Sequence, residues 1–87
     1  MRIRKNIMMT ELGDDYVAIP VSGDKSFMIR MNETAAEIWR GIEDGLNEQQ
    51  IADRLREKYD QVDNETALNS VRKVVEDLKQ KGILEDN

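Results

Sequence analysis

The sequence predicts an α+β fold in which a three-stranded antiparallel sheet is followed by three helices, in a winged helix-turn-helix-like arrangement. Three observations predict it. Short β-prone runs with turn residues between them fill positions 7 to 31, apolar residues recur at helical spacing from Ala35 to Leu78, and Gly45 and Gly82 punctuate the helical part.

Ile7 to Leu12 and Tyr16 to Val21 suit a pleated surface and flank Gly13-Asp14-Asp15, a turn signal, so they are expected to form a hairpin. Pro20 has no N–H for a ladder and belongs at a strand end or with that side turned away from a neighbour. Ser22-Gly23-Asp24-Lys25 marks a second turn. In Phe27 to Met31, alternation sets Phe27, Ile29 and Met31 on one face and Met28 and Arg30 on the other.

Asn32 or Thr34 caps the first helix, where Thr34-Ala35-Ala36-Glu37 has capping-box spacing. Its apolar positions are Ala35, Ile38, Trp39 and Ile42, with Leu46 following, so the single tryptophan is expected in the core beneath the sheet. Gly45 ends this helix and Asn47 starts the next, which runs from Glu48 to about Lys58, with Leu46 and Ile51 spaced as a hydrophobic staple. Residues Tyr59 to Asn64 read as a loop. Ala67, Leu68, Val71, Val74, Val75 and Leu78 then trace a wide stripe on a third helix, one flank joining the core and the other, around Leu68 and Val75, remaining partly open. Gly82 stops it, and Ile83 and Leu84 pack back as a short tail.

Eighty-seven residues suffice for one domain with a single core, not for a deep catalytic cavity. Cysteine is absent, which removes disulfides, thiolate chemistry and sulfur-bound metals and fits a cytosolic address. Histidine is absent too, so the commonest acid-base side chain near neutral pH is missing. The acidic pairs Asp14-Asp15 and Glu43-Asp44 sit at expected turns or helix ends, in water, without a cause for a raised pKa. No catalysis, metal or cofactor is expected. The basic start at Arg2, Arg4 and Lys5 leads into no apolar stretch of signal-peptide length, and no run is long enough to span a bilayer.

The net charge of −5 divides as +1 over residues 1–31, −4 over 32–60 and −2 over 61–87. This bears on two functions that the shape could serve. A winged-helix DNA-binding regulator would use the third helix for recognition, but Arg72, Lys73, Lys79 and Lys81 are offset there by Glu65, Glu76 and Asp77, a poor match to a polyanion. Nucleic acid is therefore the less favoured partner. A peptide-binding module would instead accept an extended segment along the open edge of the third strand, with Arg30, Arg72 and Lys79 as rim charges for an acidic guest. The same edge could pair with a second copy and give a homodimer.

The stretch Met31-Asn32-Glu33-Thr34-Ala35-Ala36-Glu37-Ile38-Trp39, read with Tyr59-Asp60 and Lys81-Gly82-Ile83-Leu84, resembles the PqqD-like family, over nearly the whole chain. That resemblance implies a peptide chaperone, or precursor-recognition element, of pathways that modify ribosomally made peptides. The leader of the precursor would lie as a fourth strand on the third, beside the third helix, and be delivered to a modifying enzyme: commonly a radical S-adenosylmethionine enzyme, otherwise a lasso-peptide protease or cyclase. Carried onto this sequence, the leader-binding edge is Ser26, Phe27, Met28, Ile29, Arg30 and Met31, and the groove wall is Leu68, Val71, Arg72, Val75 and Lys79. The resemblance leaves the pathway open, and production of the quinone cofactor does not follow from it.

Overall fold

The computed structural model describes residues 1–22 and 28–85. Five strands and three helices follow in the order β1 (Arg2–Ile3), β2 (Ile7–Leu12), β3 (Asp15–Pro20), β4 (Ile29–Met31), α1 (Glu33–Glu43), α2 (Glu48–Lys58), α3 (Asn64–Gln80) and β5 (Leu84–Glu85). The expected α+β architecture is present, with β2, β3 and β4 forming an antiparallel sheet in that order.

Leu12 pairs with Asp15, which leaves Gly13 and Asp14 as a two-residue hairpin loop. Gly13 adopts φ +63° and Asp14 does not cross to positive φ, the pattern of a type II′ turn whose twist matches that of its strands. Pro20 closes β3 opposite Ile7, the strand-end position expected for a residue without an N–H. The pairing Tyr16 to Met31, Val17 to Arg30 and Ala18 to Ile29 then fixes which side chains share a face. Tyr16, Ala18, Ile29 and Met31 turn inward, toward the helices, and all four belong to the core or pack against it.

Each helix start is set by a side chain that accepts an otherwise unpaired N–H. Asn32 rather than Thr34 caps α1, accepting from Ala35 N at 2.8 Å. Asn47 and Gln50 form a reciprocal capping box on α2, whose limits are those the sequence predicts. Asp63 caps α3 through Thr66 N at 2.7 Å, and that hydrogen bond holds its carboxyl below the ordinary aspartate pKa. Asn64 thus opens the helix instead of ending the loop. At the other ends, Leu46 N bonds to Gly41 O and Ile83 N to Leu78 O, both 6→1 closures that need positive φ at the intervening Gly45 and Gly82.

Trp39, Ile38, Ile42, Ile51, Val71, Leu78 and Ile83 are fully buried, so the three helices and the inner sheet face share one core. Gly41 on α1 faces Ile51 on α2: a Cβ there would stand 2.8 Å from Ile51 Cγ1. Overpacking of about 1–3 kcal/mol outweighs the gain of about 1 kcal/mol in helix propensity. Gly41→Ala is therefore expected to lower stability by about 1 kcal/mol, read as a lower urea midpoint at unchanged slope.

α1 is also tied to its neighbours by charge. Glu37 accepts from Lys58 Nζ and Arg40 Nη1, each at 2.9 Å, and the Arg40 guanidinium lies 5.3 Å from the Tyr16 ring centre on β3. The hydrogen bond from Lys58, opposed by partial burial and reinforced by the two positive charges, holds the Glu37 carboxyl below its ordinary pKa. A depressed carboxylate stabilises the fold fully above the ordinary value, and that contribution disappears as pH falls through the folded-state value. Glu37→Gln should accordingly lose less stability than the parent between about pH 6 and about pH 3, in urea titrations at each pH.

A second, two-stranded sheet has no counterpart in the sequence pattern. β1 pairs with β5, Arg2 opposite Glu85 and Ile3 opposite Leu84, with an Arg2 Nε to Glu85 Oε2 contact of 2.8 Å. The tail packs back as expected, with Ile83 and Leu84 buried, and Leu84–Glu85 is in addition a strand. Two-residue strands have no periodicity to detect, and their pairing joins positions more than eighty residues apart.

Candidate functional site

β4 is an edge strand: β3 lies on one side, and no strand among the described residues pairs with the other. In an antiparallel ladder neighbouring residues direct their main-chain groups to opposite sides, so part of Ile29–Met31 presents free N–H and C=O groups outward. Beyond this edge runs a groove of about 670 Å³ between β4 and α3, bordered also by the first turn of α1. Ile29, Met31, Ala35, Val74 and Leu78 give it an apolar lining, and Arg30, Lys73, Asp77 and Lys81 charge its rim. Open backbone beside apolar surface is the combination that accepts an extended segment, which gains hydrogen bonds along one side and buries alternate side chains on the other.

The rim charges are unequally occupied. Arg30 Nη2 meets Asp15 Oδ2 at 2.8 Å and Lys81 Nζ meets Asp77 Oδ2 at 2.7 Å. Lys73 has no ion-pair partner among the described residues. It is the groove cation most available to an incoming carboxylate.

The structure brings together only part of the sequence-predicted site. Ile29, Arg30 and Met31 lie at the groove, Arg30 exposed and Met31 largely buried in its floor. Ser26 and Phe27 lie outside the described residues, as does most of the turn expected at Ser22 to Lys25. Met28 is exposed and precedes the strand instead of belonging to it. On α3, none of Leu68, Val71, Arg72, Val75 and Lys79 borders this groove. Val71 is fully buried, and Val75, expected to remain partly open, is only 4 % exposed; Leu68 is half-buried as anticipated. Val75 and Lys79 instead border a separate cleft with Met1, Leu46 and Glu48.

The reason is helical geometry. Leu68, Arg72, Val75 and Lys79 follow one line of three- and four-residue steps, whereas Ser70, Val74, Asp77 and Lys81 follow another on the opposite side of the buried stripe. The structure sets the second line beside β4. A stripe has two flanks, and its periodicity does not tell which faces the sheet. Val74 was visible as an apolar residue on that flank. Ser70 and Lys73 carried no signal.

The helix α3 itself contains three basic and three acidic residues, a balance that does not favour binding along a phosphate backbone. Among the described residues no group of three or more potential ligands could hold a metal ion, and no helix is long and apolar enough to cross a membrane.

Residues 17–84 match the family model described as Coenzyme PQQ synthesis protein D (PqqD). The chain belongs to the PqqD family. Two solved structures are similar to it over nearly their whole lengths. TbiB1 in complex with the TbiA(beta) leader peptide has a TM-score of 0.82 at 22 % identity, covering 100 % of this chain and 98 % of that one. Lasso peptide synthetase B1 complexed with the leader peptide also has a TM-score of 0.82, at 25 % identity, covering 98 % and 96 %. A search of curated proteins gives no match. The PqqD match includes β3 from Val17 onward, β4, the three helices and the start of β5, so it contains every described residue that borders the groove.

Proposed function

We propose that this chain is a non-catalytic peptide chaperone that holds the leader of a ribosomally made precursor as a strand added to β4 and presents it to a modifying enzyme. The observation that carries this reading is the outer edge of Ile29–Met31, which no strand among the described residues pairs with, beside a groove lined by Ile29, Ala35, Val74 and Leu78. Membership of the PqqD family and likeness to a lasso peptide synthetase component bound to a leader support it. The partner enzyme is a radical S-adenosylmethionine enzyme or a lasso-peptide protease or cyclase. The chain acts as one peptide-recognition domain.

Four or so guest hydrogen bonds, each worth roughly 0.5–1.5 kcal/mol net, fall short of the roughly −8 kcal/mol of a micromolar complex. Apolar burial on the groove floor supplies the remainder. Val74→Asp sets a carboxylate on that floor and is expected to weaken binding at least about tenfold, because burying an unpaired charge is costly. Arg72→Glu, on the far side of α3, should change affinity less than about twofold. The measurement is fluorescence anisotropy with labelled synthetic leader peptides taken from short precursor-like reading frames found to neighbour the chain's gene. Loss on Arg72→Glu with no loss on Val74→Asp would move the guest to the other flank. No binding to the parent protein would overturn the reading.

A further inference from the structure

The large hydrophobic side chains that stay exposed among the described residues are Met8, Leu12, Val21 and Met28, at 42, 53, 57 and 58 %. All four share one side of the sheet. Met8 and Leu12 alternate with the inward Ile7 and Met9 on β2, Val21 follows β3 in step with Val17 and Ile19, and Met28 precedes β4 in step with Arg30. This is the outer face, turned away from the helices. The pairing of Met8 with Ile19 sets an apolar row across β2 and β3, and Met28 stands one residue before β4. In the next row Val17 lies between Thr10 and Arg30 and is only 3 % exposed although it points outward.

We infer that this outer face is where the modifying enzyme docks, and that the bound leader completes the docking surface. The inference rests on the strand-addition reading above. A guest paired to β4 sends alternate side chains into the groove and the others to the outer face, where they extend the row that ends at Arg30. An enzyme seated on this face touches chaperone and leader together and so distinguishes a loaded chaperone from an empty one. The size of the patch favours such a transient partner over a second copy. Four side chains about half exposed offer far less than the roughly 800 Å² per partner of a standard stable interface. The row itself is uncharged, so the enzyme surface that fits it is apolar.

The test measures binding of two purified probes: a radical S-adenosylmethionine enzyme or lasso-peptide protease whose gene is found to neighbour this chain's, and a synthetic leader from a short precursor-like reading frame at that locus. The enzyme is expected to bind the leader-loaded protein at least fivefold more tightly than the empty protein, and linkage requires that the enzyme raise leader affinity by the same factor. Met8→Asp, on the strand furthest from the guest and at an exposed position, should lower enzyme affinity at least fivefold while leader affinity stays within twofold. Leu12→Asp gives a second readout on the same face. Equal enzyme binding to loaded and empty protein overturns the inference, as does unchanged enzyme affinity in both variants. A dimer seen by sedimentation velocity and dissolved by Met8→Asp would assign the face to a second copy instead. Failure of the leader to bind the parent protein overturns the peptide reading itself, and this inference with it.

Discussion

A proline at position 29 or 30 is expected to lower leader affinity by about tenfold to a hundredfold while leaving the helices folded. β4 has only three residues, and its neighbours alternate in direction, one main-chain N–H serving the ladder with β3 and the next serving the open edge. Ile29→Pro and Arg30→Pro therefore differ in kind. At the outward residue proline removes a donor that the guest needs and sets its ring in the guest's path; at the inward residue it removes a bond to β3 and tilts the edge. The guest loses about 1.5–3 kcal/mol, one net hydrogen bond together with displaced neighbours. Most of the core lies away from this edge, where Ile38, Trp39, Ile51, Val71 and Leu78 are buried, and β4 adds only Met31 with Ile29 packed against it. Circular dichroism verifies the fold, and peptide titration gives the affinity. Unchanged affinity in both folded variants would exclude strand addition.

Trp39→Ala is expected to cost about 3–5 kcal/mol, the range for truncating a large buried aromatic residue. The ring is fully buried, on a helix that packs against α2, α3 and the sheet. A chain of this size is stable by roughly 4–13 kcal/mol, so the loss removes about a quarter of the whole or more. Urea unfolding followed by far-ultraviolet circular dichroism should show the midpoint falling by about 3 M, or no folded baseline at all. Trp39→Phe, which keeps most of the buried area, should fall between the two. A loss below about 1 kcal/mol in Trp39→Ala would mean that the ring is not part of the core.

Much of the fold was legible because it is encoded locally. Gly13 with Asp14 specifies a tight hairpin, Asn47 with Gln50 specifies where α2 begins, and Gly45 and Gly82 specify where α1 and α3 end. Each signal depends on a few adjacent residues whose hydrogen bonds close on themselves. Of the groove, the strand side was legible and the helix side was not. The edge at Ile29–Met31 follows from strand order, which short connections dictate. The flank of α3 that faces it depends on how the helix is rolled against the sheet, a tertiary quantity set by packing across the core, and so Val74 and Lys73 stand where Val75 and Lys79 were expected. The β1–β5 pair escaped for the same reason, since its register is a contact between the two ends of the described chain.

Hydrogen exchange of the backbone amides of residues 28–32, with and without the synthetic leader, tests the added strand most directly. Strand addition predicts that at least one amide among Ile29, Arg30 and Met31 exchanges slowly only when the leader is present, with matching protection on alternate residues of the leader. Exchange in that segment that is the same with saturating leader as without it would contradict the account.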